Sequence, residues 1–441
     1  MRDETSHSQH STAFATQPPA GSEYLRWSPN GQRRHWYRPD YHRCLTGVLP
    51  TVLTLLGHEP QQPSLLPYLP AAAPRQAKWV VLLTVDSFGY REWAHSRQLQ
   101  QLYPDYGTWI TSVFPSITSC ALSSLYQSLA PARHGLTGHK IWKDCPGAVV
   151  DVLTMQVEGA SHSLTAAGFN PHVWKRQAGI LERQSAESPP GYHLLPRFIA
   201  NSGLSTFSYG NIPRIPYGEL IEGFQKATRM LNSMDQGFVS LYMPMIDTLT
   251  HTLGGGSGEV GLAVQHLEDL LAYLANSVPP EVAEDTAVMI VADHGQSGLQ
   301  KRRPLHGAPL EWLQSHTHAL GFSGRVMHVY LKDYPAEPVR HWLQDWLGED
   351  GEVCEAAEVM PLVGTDSKFV SAGQPPLDPA WIQASLGDLV VILEEGVLFQ
   401  RHPPPDPEPL YPSRFVSQHG ALTWHELFVP LLCAPLSMMR V

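Results

Sequence analysis

The sequence predicts an α/β protein with a largely parallel central sheet covered by helices on both faces. Three observations carry that reading. Residues 80–85, 237–243 and 286–292 are short apolar runs (VVLLTV, GFVSLYM, TAVMIVA) of the kind that suits strands buried on both faces. Helical patterns lie between the runs, and strand alternating with helix is the pattern of a parallel sheet. Each run also stops at or just before an acidic or histidine-bearing point: Asp86, Asp247 with His251, and Asp293 with His294. The carboxyl ends of strands are where such sheets place chemistry.

The N-terminal residues 1–45 are polar and rich in Arg, His, Ser and Pro, which predicts a mobile tail and then a partly ordered approach. Residues 45–57 read as a short apolar helix packed on the core, and the proline-rich 59–76 as a linker into the first strand. Residues 90–102 look helical and 109–114 extended. A helix over 118–129 starts in a Ser/Thr cluster and stops at Ala130-Pro131. Residues 149–155, 170–175 and 204–208 read as strands, 217–232 as an amphipathic helix, and 260–278 as a helix closed by Pro279-Pro280. Residues 299–324 break the rhythm and resemble an inserted loop or lid. Strand at 325–331, helix at 338–347, mixed structure at 352–359 and strand at 388–394 suggest a small α/β subdomain over 325–400. The proline-rich 401–412 then returns the chain to the core, which 46–324 begins and 401–441 completes.

Bulk composition narrows the function. With 441 residues, 43% hydrophobic and 16% charged, the chain can bury a large core. A net charge of −11 opposes an extended nucleic-acid surface, although it permits a small phosphate ester held by metal ions. Five scattered cysteines without a CxxC motif are not a disulfide framework and favour a reducing, cytoplasmic compartment. No secretory h-region and no membrane-length apolar run is visible in the sequence, so no membrane partner is expected.

The chemistry-bearing residues are Asp86, Asp247, His251, Asp293, His294 and His419, with a hydroxyl from the Ser116–Thr118–Ser119 cluster. Asp247 and His251 fall one helical turn apart, where they could equally form a surface pair. Asp293 and His294 would diverge in a strand, but a bend at Gly295 lets both reach one centre. Carboxylate plus imidazole suits Zn²⁺, with Mn²⁺ the alternative. Three carboxylates, three histidines and a hydroxyl exceed one tetrahedral ion and match two, the arrangement that clamps both oxygens of an in-line phosphoryl displacement.

The motifs VDSFG (85–89), FPSITS (114–119) leading to LAPARHGLTGH (129–139), MIDTLTH (245–251), VADHG (291–295) and QHGALTWHELFVPLL (418–432) occur in one order. Together they resemble the alkaline phosphatase superfamily, and within it the nucleotide pyrophosphatase/phosphodiesterase branch; the last also resembles the end of a PglZ domain. The resemblance spans roughly 80–435. It implies a three-layer sandwich with a small α/β insertion. It also implies a metal-dependent hydrolase of phosphodiester or pyrophosphate bonds, with a nucleotide-type or other small phosphate-ester substrate. It assigns Asp86, Thr118, Asp293 and His294 to one metal and Asp247, His251 and His419 to the other, with Thr118 the nucleophile that forms a phosphothreonine.

The chain departs from that pattern in two places. It has Cys120-Ala121-Leu122 where relatives carry Pro-Asn-His, and His139 where they carry Asn. His139 or Lys140 then becomes the substitute contact for transition-state oxygens. A sulfatase reading fails because Cys120 lacks the following Pro and Arg. The alternative function is a PglZ-like partner subunit that uses the pocket for nucleotide or metal binding without independent turnover. His425 is the nearest alternative to His419. His134 reads as structural, and His306, His316 and His318 as surface residues.

Overall fold

Seven strands build the central sheet: β1 (Trp79–Val85), β2 (Gly107–Thr111), β3 (Gly191–Pro196), β4 (Arg214–Tyr217), β5 (Gly237–Met243), β6 (Thr286–Val291) and β7 (Phe428–Pro435). Their order is β2-β7-β6-β1-β5-β3-β4. This computed structural model describes residues 17–29, 35–183, 188–366, 375–402 and 415–440. Residues 1–16 and 30–34 of the expected tail, and 403–412 of the proline-rich return, lie outside the described residues.

Strands β6, β1, β5, β3 and β4 run parallel. Strand β7 is antiparallel to both β6 and β2. Every residue of β1, β5 and β6 is buried, which is why these three segments carry no polar alternation. Each large aliphatic side chain buried there contributes roughly 1.5–3 kcal/mol. Val81 sits in register between Val239 and Val288, so β1, β5 and β6 end at one edge. The chain leaves β1 through Asp86, whose N–H donates to Met243 O at 2.9 Å.

Two helices frame that edge. α1 (Thr118–Gln127) is buried from Ser119 to Gln127 and ends at Ser128 in a left-handed conformation. α2 (Met245–Leu253) begins directly after β5 and Pro244. The expected helix at 45–57 is a short turn followed by helix Val48–Leu55, packed on the core.

A second seven-stranded sheet is antiparallel throughout. It uses Gly351–Glu355, Leu389–Leu393 and Val326–Leu331 from the 325–400 stretch. Thr317–Ser323, Lys140–Lys143, Ala148–Asp151 and Gln156–Val157 come from outside it. The sheet therefore draws more than half of its strands from before residue 325, where the expected subdomain begins, and none from beyond residue 400.

Three local expectations are corrected. Residues 170–175 hold a 3₁₀ turn, Pro171–Trp174, because Asn170 accepts the His172 N–H and Pro171 has none to give to a ladder. Residues 204–208 belong to a helix, Gly203–Ser208, capped by Ser202, which accepts the Ser205 N–H. The strand of that region is β3, GYHLLP, paired on both sides although it is short and ends in proline. Residues 299–324 are not an irregular loop: Lys301–Pro304 pairs with Val397–Gln400, a helix spans Ala308–His316, and a strand follows.

Candidate active site

The site forms where β1, β5 and β6 end. Asp86 is buried there, and Tyr242, one residue before the end of β5, donates its hydroxyl to Asp86 Oδ2. Ser87 follows with a φ of 60°, uncommon for a residue with a side chain and costing about 1–3 kcal/mol. That conformation lets one residue serve three neighbours. Its N–H donates to Asp293 Oδ1 at 3.1 Å, its hydroxyl donates to Asp247 Oδ1 at 2.7 Å, and the hydroxyl lies 3.2 Å from His294 Nδ1.

Beyond β6 the chain bends at Gly295. A Cβ there would lie 2.1 Å from His425 O and 3.2 Å from Gly89 Cα, so only glycine permits the approach. The bend brings Asp293 and His294 to a common point: His294 Nε2 is 3.4 Å from Asp293 Oδ2, 3.6 Å from Asp86 Oδ1 and 3.1 Å from Thr118 Oγ1. Thr118 is the first residue of α1, and the preceding Ile117 offers no capping side chain. The helix's opening N–H groups therefore lie beside the threonine hydroxyl, ready for an anion.

On the other side, α2 presents Asp247 and His251 one turn apart, with His251 Nε2 3.3 Å from Asp247 Oδ1. His419 Nε2 stands 3.8 Å from the same oxygen, and the His419 ring stacks on His294 at 3.7 Å. Backbone carbonyls accept from the far nitrogens: Ser417 O from His251 Nδ1 at 2.9 Å, Ser116 O from His419 Nδ1 at 3.0 Å. Those bonds leave both Nε2 lone pairs for a ligand, the orienting device common at metal-binding histidines.

All seven expected ligand residues thus meet at one sheet edge. Two clusters have donor atoms close enough to share an ion, Asp86–Asp293–His294 and Asp247–His294–His419, with His294 between them. The donor set fits cations. Asp86 Oδ1 and Asp293 Oδ2 are buried without a hydrogen-bond partner, an arrangement that a cation would satisfy. Burial, then the charges of Asp293 and Asp247, push the Asp86 carboxyl well above the usual range, and burial also raises Asp293. Asp247 is half-buried, which would raise it, yet the hydrogen bond and charge of His251, with His419 and His294, hold it far below. Burial and the two neighbouring imidazoles keep His419 neutral, the form that binds metal.

His139 stands apart from the seven. Its Nε2 pairs with Asp151 Oδ2 of the second sheet at 3.5 Å, and its N–H donates to Ser323 Oγ at 2.8 Å. Three polar residues that the sequence reading left unassigned support the site: Ser87, Tyr242 and Gln296, whose Nε2 donates to Asp247 Oδ1 at 2.7 Å. Their signal was adjacency, since Ser87 follows Asp86, Gln296 follows the His-Gly bend, and Tyr242 lies one residue from the end of β5.

A sequence model of the family described as type I phosphodiesterase/nucleotide pyrophosphatase matches residues 80–421. The chain belongs to that family. This type I phosphodiesterase-family member is therefore one of a group of metal-dependent hydrolases. No curated protein matches it in sequence. Among solved structures it is similar to murine ectonucleotide pyrophosphatase/phosphodiesterase 5, at 14% identity over 80% of this chain and 87% of that one, TM-score 0.56. The same murine protein as an inactive variant in complex with AMP gives 13% identity, the same coverage and TM-score 0.56. Phosphonoacetate hydrolase from Sinorhizobium meliloti 1021, in complex with phosphonoformate, gives 17% identity over 84% of this chain and 91% of that one, TM-score 0.55. At these identities the likeness is one of fold. Among the described residues of this family member, no helix is long and apolar enough to cross a membrane.

Proposed function

We propose that the chain is a two-cation phosphohydrolase that cleaves phosphodiester or pyrophosphate bonds of nucleotide-type substrates through a phosphothreonine on Thr118. The observation that carries the reading is the placement of Thr118 Oγ1 3.1 Å from His294 Nε2, beside two buried carboxylate oxygens that lack partners. Asp86, Thr118, Asp293 and His294 would hold one ion, and Asp247, His251 and His419 the other. When bound, Zn²⁺, or Mn²⁺ in its place, would withdraw charge from the attacking and departing oxygens.

The chain's own groups account for the rest. Thr118 Oγ1 attacks phosphorus, the P–O bond to the departing alcohol or phosphate breaks, and that group leaves with a proton. Water then attacks the phosphothreonine, releases the phosphoryl product and restores the hydroxyl. The uncapped N–H groups of α1 receive non-bridging oxygens. His139 would contact those oxygens in place of the relatives' Asn: it follows Gly138, whose carbonyl accepts the hydroxyl of Ser119 beside Thr118 at 3.0 Å, and Asp151 orients its ring. The AMP held by the murine relative's inactive variant supports the nucleotide class. A binding-only, PglZ-like role gives no use to the hydroxyl of Thr118. All five cysteines are free, which supports a reducing, cytoplasmic setting.

Purified protein with Zn²⁺ or Mn²⁺ should hydrolyse a nitrophenyl phosphodiester, and Thr118→Ala should lose on the order of 10³-fold in kcat or more. Acid quenching during turnover should yield a phosphorylated Thr118 peptide from the wild type. Unchanged turnover by Thr118→Ala would remove the nucleophile assignment.

A further inference from the structure

We propose that the buried Arg325–Glu426 ion pair is a strut that sets His419 in place against Asp247 and His251, and thereby fixes the affinity of the second cation position. The inference rests on the two-cation reading above. Both side chains are fully buried, with Arg325 Nη1 2.5 Å from Glu426 Oε2. A fully buried ion pair is expensive to desolvate, so its place in the fold is informative. This pair lies where the second sheet meets the loop that carries His419.

The remaining contacts show what the pair holds. On the second-sheet side the guanidinium donates to Val397 O at 3.1 Å, to Leu393 O at 3.2 Å and to Glu394 O. On the loop side the Glu426 carboxylate accepts from Ala421 N at 3.2 Å, Thr423 N at 3.3 Å and Thr423 Oγ1 at 2.6 Å. Ala421 is two residues beyond His419, so the carboxylate pins the backbone that aims the imidazole. The backbone N–H of Arg325 donates directly to His419 O at 3.2 Å. Gly324 permits this approach: its φ is 62°, and a Cβ there would lie 2.1 Å from His419 O. Glu426 also reaches the other half of the site, because its carbonyl accepts the Gly295 N–H at 3.0 Å. Arg325 and Glu426 are therefore positioning residues that act through His419, without touching the reacting atoms.

The test uses the full chain equilibrated against buffered Zn²⁺, with bound metal counted per chain and thermal unfolding followed by circular dichroism. His419→Ala marks which ion belongs to the second position. Arg325→Met should weaken the same ion by roughly 10–100-fold, the range for loss of groups that orient a ligand. The other ion should stay within about twofold of its wild-type affinity, as expected when outer contacts of only one ligand are lost. Should Arg325→Met not fold, the double variant Arg325→Met/Glu426→Leu leaves no unpaired buried charge and carries the same expectation. A folded variant that keeps both ions at wild-type affinity, or loses both in parallel, overturns the strut. A wild-type chain holding fewer than two ions overturns the two-cation reading itself, and that outcome is read without any variant.

Discussion

Tyr242 donates to Asp86 Oδ2 from within a fully buried strand, leaving Oδ1 turned toward His294. A hydroxyl in that place fixes which oxygen of the carboxylate is available to an ion. Tyr242→Phe should keep the fold and lower metal affinity by roughly 10–100-fold, read by competition with a chelator of known affinity. An unchanged affinity would show that Asp86 is oriented without it. The seven candidate ligand residues, which the fold brings to one sheet edge, were legible as a set in the sequence because each stands at a strand end or in a short motif. Tyr242, Ser87 and Gln296 were less so, because adjacency to a motif marks the neighbourhood of a site but does not say which carboxylate or imidazole a side chain holds until the backbone is folded. His139 illustrates the converse: its position in LAPARHGLTGH was legible, but its pairing with Asp151 depends on a hairpin of the second sheet.

At the scale of elements, the turn after β6 is the most constrained piece. Gly295 lies against both His425 O and Gly89 Cα, so Gly295→Ala must displace backbone. Overpacking of this kind typically costs about 1–3 kcal/mol, so Gly295→Ala should show a lower urea midpoint together with lost turnover. A variant with wild-type stability and activity would contradict the closeness of that contact. The 3₁₀ turn Pro171–Trp174 is held differently. Glu182 Oε1 lies 3.0 Å from His172 Nδ1 and 2.8 Å from Lys175 Nζ. Burial alone would push the Glu182 carboxyl up, but these partners hold it down to about 2 from an ordinary 4.5. Because the folded value is the lower one, the stabilisation is complete above the ordinary carboxylate range and fades as pH falls toward 2. Lys175 is itself pulled down by burial, so the net contribution is smaller than Glu182 alone suggests, on the order of 1–2 kcal/mol at neutral pH. Urea midpoints of wild type and Glu182→Gln should differ most near neutrality and converge in acid; a gap that widened in acid would reverse the sign. The buried strands β1, β5 and β6 were visible in sequence as apolar runs. The helix at Gly203–Ser208 was mistaken for a strand because six residues are too few for a helical period to show, and only the cap at Ser202 decides it.

The whole molecule joins a largely parallel sheet, whose strand ends bring the candidate ligand residues together, to an antiparallel sheet whose hairpin turn at Ser323–Arg325 presses on the His419 loop. The first was legible because neighbouring strands are long and fully buried. The second was not, since its strands are gathered from 140–157, 317–331, 351–355 and 389–393, and no local pattern announces pairing over such separations. Function depends on both, as His419 reaches Asp247 from a loop braced by the second sheet. The most direct measurement is anomalous diffraction from crystals of the zinc-loaded protein. Two peaks are expected, one bounded by Asp86, Thr118, Asp293 and His294 and one by Asp247, His251 and His419. A single peak, or ions bound away from these residues, would contradict it.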